Sequence, residues 1–373
     1  MKFSASQSSL SSAISPLSAV VPTKSPMPVL SHILADLKGN ILTLTGSDME
    51  VTMQTRLEVS GSEDGRLLLP SRKFTELLRG LPDEQITVEK VKGKENQIKI
   101  SDTEGREYAC SAESVDNYPQ VPKLEESNVF KIGRNKLRRL IGKCLFAVSR
   151  DELRPQLTGV FLKVNAEEIQ LVTTDGHRLV RVGYKSNGYS GDEHIAIVPS
   201  KAMSAVQRIA EGEGDAEIAF AGSQLAFRIG NTTLITRLIE GKYPNYQAVI
   251  PTENKNLLKV DLDQLTAAVR RAQIFSNEIS RQIRIHLEKA ELQIRVEDIE
   301  QGNEGFESVP CEFAGEAMDI GYNAGYVLDV LKQVDTNEVK FELGTSTSAG
   351  IVRPTEQEEN EDLLMLIMPV RLN

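Results

Sequence analysis

One plan of motifs occurs three times along this chain of 373 residues, and that period constrains the fold more than any bulk property does. Each copy opens with an apolar strand and an amphipathic helix, at Lys2-Phe3-Ser4, Val129-Phe130-Lys131 and Leu258-Lys259-Val260. An alternating strand then runs to an acidic residue, in Ser47-Asp48, Thr174-Asp175-Gly176 and Glu297-Asp298. A second helix starts behind a strand end, at Pro70-Ser71-Arg72-Lys73-Phe74, Pro199-Ser200-Lys201-Ala202-Met203 and Gly321-Tyr322-Asn323-Ala324-Gly325-Tyr326. The first two copies also share a late landmark, Asn117-Tyr118-Pro119 and Lys242-Tyr243-Pro244-Asn245-Tyr246. Phe3 to Phe130 spans 127 positions, Phe130 to Leu258 spans 128 and Pro119 to Pro244 spans 125. Solenoid repeats run roughly 20–50 residues, whereas about 100–150 is the size of a whole domain. The period therefore predicts three similar domains, over residues 1–125, 126–253 and 254–373.

Composition excludes several classes. The apolar fraction of 40% and charged fraction of 26% fit a chain with buried cores. Met1-Lys2-Phe3-Ser4 leads into a Ser-rich stretch without a continuous apolar segment, so no secretory leader is expected. No run approaches the roughly 18 apolar residues of a membrane helix, and a cytoplasmic location follows as the expectation. Cys110, Cys144 and Cys311 are odd in number and form no CxxC pair, which fits reduced thiols. A net charge of −10 argues against a uniformly basic nucleic-acid surface, but leaves room for a local basic face.

The helices carry that local charge. Leu137, Leu140, Ile141, Cys144, Leu145 and Val148 form one apolar stripe, with Arg134, Lys136, Arg138, Arg139 and Lys143 over the rest of the segment. Leu262, Leu265, Ala268, Val269 and Ala272 repeat the stripe in the third copy, beside Arg270 and Arg271. In the first copy Pro16 interrupts Leu10, Ala13, Ile14 and Leu17, so a short or kinked helix is expected there. The second helices set Phe74, Leu77 and Leu78 among Arg72, Lys73 and Arg79, and Met203, Val206 and Ile209 among Lys201 and Arg208. Val327, Leu328, Val330 and Leu331 form the third, with Lys332 as its main basic residue. Ile41-Leu42-Thr43-Leu44-Thr45, Ile169-Gln170-Leu171-Val172-Thr173 and Leu292-Gln293-Ile294-Arg295-Val296 alternate as half-buried strands do. Each domain thus reads as α+β, with two helices and about eight antiparallel strands. Sheet edges need partners, and domains that pair edge to edge into a closed ring supply them. Sheets on the outside of such a ring leave basic helix faces lining a hole. The acidic segment from Ile351 to Asp362 reads as a solvated loop before the final strand.

Four strings carry a resemblance. Thr174-Asp175-Gly176-His177-Arg178-Leu179, Gly241-Lys242-Tyr243-Pro244-Asn245-Tyr246, Tyr322-Asn323-Ala324-Gly325-Tyr326-Val327-Leu328-Asp329-Val330-Leu331 and Met368-Pro369-Val370-Arg371-Leu372 resemble the beta subunit of bacterial DNA polymerase III, the sliding-clamp family. Met1-Lys2-Phe3 and Arg79-Gly80-Leu81-Pro82 agree, and the likeness covers the whole chain. The resemblance implies a DNA clamp fold and a ring-forming head-to-tail homodimer, with helices lining the channel around double-stranded DNA. It implies a non-catalytic processivity subunit, without cofactor or metal. Its implied partners are the DNA polymerase III alpha subunit, the clamp loader delta subunit, and other polymerases and repair proteins carrying short clamp-binding peptides.

The resemblance also implies sites. A peptide pocket between domains two and three maps to Arg154, Leu157, Thr174, Gly176, His177, Arg178, Leu179, Pro244, Val249, Asn323, Tyr326, Met368, Pro369, Val370, Arg371 and Leu372. An apolar pocket with a few polar anchors suits an extended peptide. Ordinary core is the lesser alternative reading of Leu157, Leu179 and Val249. Pro155-Gln156 stand where family members often carry an aromatic residue, which alters the pocket gate, and Asn373 lies one residue beyond the usual terminal Leu. DNA contacts map to Lys24, Arg72, Arg79, Arg150 and Lys201, and the helix faces add Arg138, Arg139 and Arg271. The dimer seam maps to Tyr108 and Cys110 on one side and to Ile274 and Phe275 on the other, the latter an apolar pair where a helix meets solvent.

Two other functions compete. Asp175 and His177 could orient and hold a general base, as in a hydrolase. Only His32, His177, His194 and His286 are present, however, with no HExxH, Walker A or GxSxG element. A protein-interaction scaffold that never meets DNA is the other alternative.

Overall fold

The computed structural model describes residues 1–91, 93–94, 97–111, 113–122, 128–185, 189 and 191–372. The expected division between residues 125 and 126 lies outside them, as does Asn373. The first repeat holds strands β1 (Lys2–Ser6), β2 (His32–Lys38), β3 (Ile41–Ser47), β4 (Val51–Glu58), β5 (Ser60–Glu63), β6 (Gly65–Pro70), β7 (Gln85–Lys90), β8 (Gln97–Ser101) and β9 (Glu107–Ser111). The second holds β10 (Asn128–Gly133), β11 (Gly159–Val164), β12 (Glu168–Thr174), β13 (Arg178–Lys185), β14 (His194–Pro199), β15 (Asp215–Ala221), β16 (Gln224–Ile229) and β17 (Thr232–Arg237). The third holds β18 (Asn256–Asp261), β19 (Gln282–Leu287), β20 (Glu291–Asp298), β21 (Asn303–Ala314), β22 (Met318–Asn323), β23 (Glu338–Leu343), β24 (Gly350–Pro354) and β25 (Glu361–Ile367). Each repeat carries two α-helices, numbered in chain order α1 (Gln7–Ile14), α2 (Ser71–Gly80), α3 (Arg134–Cys144), α4 (Ser200–Ile209), α5 (Leu262–Phe275) and α6 (Ala324–Leu331).

The helix ends follow from local chemistry. Ser6 Oγ accepts from the Ser9 amide at 3.2 Å to start α1, and Asp261 Oδ1 accepts from the Gln264 amide at 2.8 Å to start α5. The α1 ladder stops at Ile14, and Pro16, which has no N–H to donate, sits in the tighter 3-10 turn Ser15–Ala19. Leu137, Leu140, Ile141 and Cys144 of α3 are fully buried, and each large side chain so placed contributes about 1.5–3 kcal/mol. Lys143 departs from the expected basic face. It is buried, and its ammonium bonds the Gln333 carbonyl and the Asp335 carboxylate, the latter at 2.7 Å. The acidic stretch also departs from a loop. Ile351 to Pro354 belongs to β24, β25 starts at Glu361, and only the residues between them turn through solvent. Glu361 is buried, and Asp362 receives Arg181 and Arg353.

The strands assemble into two compact units that cut across the sequence repeats. One comprises Met1–Arg139 with Lys201–Leu238, the other Leu140–Ser200 with Ile239–Asn373. The first contains a five-stranded sheet, β5-β1-β7-β8-β9, and an eight-stranded sheet, β10-β15-β16-β17-β4-β3-β2-β6. The second contains a twelve-stranded sheet, β14-β11-β12-β13-β25-β24-β23-β18-β21-β20-β19-β22. Antiparallel pairing of β17 with β4, from Thr232↔Thr55 to Thr236↔Val51, joins half of repeat two to repeat one. Pairing of β13 with β25, from Arg178↔Ile367 to Tyr184↔Glu361, joins the other half to repeat three. At these two junctions edge satisfaction therefore operates inside one chain, because a strand edge of one repeat finds its ladder in another.

Candidate functional site

The turn after β12 is built by its own side chains. Asp175 Oδ1 accepts from the amides of His177 and Arg178 at 2.9 and 3.0 Å, and Thr174 Oγ1 accepts from the Gly176 amide at 3.1 Å. The Thr174 hydroxyl donates to the Arg178 carbonyl at 2.7 Å. Gly176 takes a φ of +93°, where a Cβ would be strained, so the tight turn needs glycine here. Arg178 starts β13, and its Nε donates to Asp175 Oδ2 at 3.0 Å. The rest of the guanidinium reaches the Asp329 carboxylate and the Phe146 carbonyl. It lies 5.2 Å from the Phe146 ring centroid and 4.6 Å from that of Tyr326.

Helix α6 supplies the facing wall. Asn323 Oδ1 caps it by accepting from the amides of Gly325 and Tyr326 at 2.9 and 3.3 Å, while Asn323 Nδ2 donates to the Ser280 carbonyl at 2.9 Å. Tyr326 and Asp329, three positions apart, share one helix face and converge on Arg178. His177 stacks on Tyr326 with ring centroids 5.7 Å apart and planes at 24°. The C-terminal segment closes a third side. The Met368 amide donates to the His177 carbonyl at 2.7 Å, and the Val370 amide to the Gly321 carbonyl at 2.9 Å. A Cβ on Gly321 would stand 2.6 Å from the Val370 oxygen, so glycine lets the tail dock on β22.

Beneath this lies an apolar cluster that includes Leu157, Phe161, Val172, Leu179, Tyr243, Tyr246, Ile351 and Leu366. Leu157 and Leu179 belong to this core and are buried, whereas Val249 and Met368 are 53% and 38% exposed. Pro244 and Arg371 are exposed, and Pro369, Val370 and Leu372 half-buried. The Tyr243 hydroxyl donates to the Val172 carbonyl at 3.4 Å, and burial pushes its pKa up. Arg154 Nε donates to Asp151 Oδ2 at 2.8 Å, a bond that holds the Asp151 carboxyl below its usual range. Pro155 and Gln156 sit in a 3-10 turn that ends at Leu157. All sixteen pocket residues lie in the second compact unit.

Three contributors were not among the expected site residues: Phe146, Asp329 and Gly321, which hold Arg178 and the tail. Asp175, weighed as the orienter of a base, builds the turn instead. Asp329 could have been found three positions after Tyr326 on one helix face; nothing in the sequence pointed to Phe146. Among the described residues no bond joins Asp175 to the His177 ring, whose face is occupied by Tyr326. The arrangement lacks the base–orienter geometry a hydrolase needs. Among the described residues no group of three or more His, Cys, Asp or Glu is placed to hold a metal ion.

The basic candidates divide between the units. Lys24, Arg72, Arg79, Arg138, Arg139 and Lys201 belong to the first, Arg150 and Arg271 to the second. Several face a carboxylate: Arg72 Nε to Glu76 at 2.9 Å, Arg138 to Glu211 at 3.4 Å, Lys201 to Asp48, and Arg271 as a fork on Glu307 with both bonds at 2.7 Å. Exposed pairs of this kind are weak and exchange readily for phosphate. Lys24, Arg79 and Arg150 are exposed and make no ion pair among the described residues.

Two apolar features stand open. Tyr108, 39% exposed, and Cys110 lie on β9, the outer strand of the five-stranded sheet. Ile274 and Phe275 end α5 at 73% and 45% exposure, and β21 adds Phe306 at 58%, a residue without a sequence signal.

The family described as DNA polymerase III beta subunit matches throughout, its N-terminal domain over residues 1–122, its central domain over 131–245 and its C-terminal domain over 247–371. The beta sliding clamp of Pseudomonas aeruginosa is 32% identical over 374 residues, and that of Chlamydia muridarum 29% over 376, each covering all of both chains. The crystal structure of the Pseudomonas aeruginosa DNA polymerase sliding clamp superposes with a TM-score of 0.93 at 31% identity, covering 100% of both chains. On its three repeated domains, its sheet topology and these full-length matches, the chain belongs to the DNA polymerase III beta subunit family, the beta sliding clamps.

Proposed function

We propose that two copies of this chain close head to tail, domain one of each against domain three of the other, into a ring around duplex DNA. As a beta sliding clamp, the chain is a non-catalytic processivity factor of DNA polymerase III, with DNA and polymerase as its partners. A ring holds polymerase by topology, so its phosphate contacts need only be modest and screened, and base readout would hinder sliding. The observation that carries the closed ring is the pair of open apolar features, β9 with Tyr108 and Cys110, and the α5 end with Ile274 and Phe275. A heterologous contact between them uses each once per copy and closes after two. Lys24, Arg72, Arg79, Arg138, Arg139, Arg150, Lys201 and Arg271 would face the duplex.

The surface formed by Tyr326, His177, Val249, Met368 and Pro244 would receive an extended peptide with apolar anchors. Its carriers would be the polymerase alpha subunit, the clamp loader delta subunit, and other polymerases and repair proteins. Work on chromosomal DNA places the ring in the cytoplasm, and no helix among the described residues is long and apolar enough to cross a membrane.

Sedimentation and DNA retention test the ring together. A dimer that stays on closed circular DNA after loading and runs off the same DNA once linearised is the expected result. A persistent monomer, or equal loss from both DNAs, overturns it.

A further inference from the structure

Outside the surfaces described above, the first compact unit contains a cleft of about 450 Å³ with an unusual lining. It lies between the Ser15–Ala19 turn, the start of α3, the end of α4 and the turn joining β16 to β17. Arg134 and Arg208 line it together with Ser15 and Ser18. Among the described residues none of its lining side chains is acidic, in a chain whose 53 acidic residues outnumber its 43 basic ones.

Arg134 is held in place. Its amide donates to the Gly214 carbonyl at 2.9 Å and its Nε to the Asp215 carbonyl at 3.4 Å. A Cβ on Gly230 would stand 3.1 Å from the Arg134 guanidinium, and one on Gly214 would stand 3.9 Å away. Both glycines adopt positive φ, +61° and +96°, so two tight turns leave the guanidinium its room. Arg208 approaches from the last turn of α4, exposed and without an ion pair among the described residues. The ends of α1 and α4 meet here, and helix C-termini repel anions. Affinity for an anion at this place would therefore come from the two arginines, whose forked donors match phosphate oxygens.

We propose that this cleft binds phosphodiester oxygens of the duplex DNA that the clamp encircles, an inference that rests on the ring reading. The wall formed by Ser15–Ala19 runs on, five residues later, to the exposed Lys24, so the cleft extends a segment proposed above to face DNA. Free phosphate shares the chemistry and is separated from DNA by the test.

The experiment measures direct binding of a labelled duplex by the intact protein against chloride concentration, for wild type, Arg208→Gln and the double variant Arg134→Gln/Arg208→Gln. Losing two phosphate contacts should flatten the slope of log affinity against log salt by about 1.8, so the wild-type advantage at about 50 mM exceeds that at 200 mM roughly 12-fold. The single variant, which leaves the Gly214 and Gly230 turns untouched, should lose about half of that slope change. Unchanged slopes in both variants overturn the proposal. Replacing chloride with inorganic phosphate at equal ionic strength should weaken wild type more than the double variant. If phosphate does so while the slopes do not differ, the cleft is a free-phosphate site and the DNA assignment falls. Retention of the double variant on circular DNA is expected to persist, because it is topological. Failure of wild type in that assay would instead overturn the ring.

Discussion

The Arg178 guanidinium stands 4.6 Å over the Tyr326 ring, which joins a turn of the second repeat to a helix of the third. Asp175 and Asp329 accept from the same cation, one from each repeat, and His177 stacks on the same tyrosine. Asp329→Asn removes one charge-assisted bond from a half-exposed carboxylate, a loss of about 1 kcal/mol, so peptide affinity should fall roughly 5-fold. Tyr326→Ala removes the wall itself and should cost more than tenfold. Fluorescence anisotropy of a labelled clamp-binding peptide reads both, and Asp329→Glu should recover part of the loss. Equal affinity in all three variants would show that this wall does not touch the peptide.

Gly321 sets the position of the C-terminal tail. The methyl of Gly321→Ala would meet the Val370 oxygen at 2.6 Å and Leu372 Cδ2 at 2.7 Å, so the bridge between Gly321 and Val370 should open. Met368 and Val370 then leave the pocket rim, and peptide binding should weaken at least tenfold while the oligomeric state is kept. Hydrogen exchange at the Val370 amide, faster in the variant, checks the cause.

Lys143 and Asp335 should respond asymmetrically. Lys143 has a side chain only 7% exposed, against 50% for Asp335. Asp335→Ala leaves a buried ammonium with the Gln333 carbonyl alone and should cost about 1–3 kcal/mol. Lys143→Met removes the charge and keeps an apolar stem, so its cost should be under about 1 kcal/mol. Urea midpoints of the two variants compare them directly, and equal losses would contradict the burial assigned to Lys143.

The proposed seam predicts oligomeric state. Ile274→Asp/Phe275→Asp places two charges on an apolar surface that would be desolvated in a dimer, and the protein should sediment as a monomer with unchanged circular dichroism. Phe306→Asp, on the neighbouring strand, should weaken the dimer in the same direction. Dimers of unaltered stability in both variants would place the seam elsewhere.

Acid should act through Arg271 and Glu307. The hydrogen bond from Arg271 holds the Glu307 carboxyl below its ordinary range, with burial opposing and the charge of Arg271 adding to the effect. A depressed folded-state pKa means that the contribution is full above the unfolded value of about 4.3 and is lost as pH falls through the folded value. Thermal midpoints of wild type should therefore drop more steeply than those of Glu307→Gln between about pH 5 and pH 3.5.

Much of the local structure was legible because it is set by neighbours in sequence. The helical stripes of Leu137, Leu140 and Ile141 and of Leu265, Ala268 and Val269 are buried as their spacing requires. Pro16 ends α1, and Asn323 caps α6, for reasons confined to one turn of chain. Lys143 was misplaced because helical spacing puts a residue on a face without saying what packs there; the Gln333 carbonyl and Asp335 arrive from 190 and 192 positions away. The acidic stretch was misjudged because Arg181, which meets Asp362, lies far outside it, and because Arg353 reaches the same carboxylate only once the two ends of the stretch form strands.

The sequence by itself determined the number of repeats, their helices and strands, and the family to which the chain belongs. Those rest on periodicity and on strings of adjacent residues. Tertiary structure alone decided how half-units are shared between repeats, since a strand edge does not name its partner until β17 meets β4 and β13 meets β25. It also decided that Arg178 is gripped by Asp329, Phe146 and Tyr326, and that Arg134 and Arg208 share a cleft without a carboxylate. Each of these is a contact between groups far apart in sequence, made favourable only once burial and charge are fixed together in space.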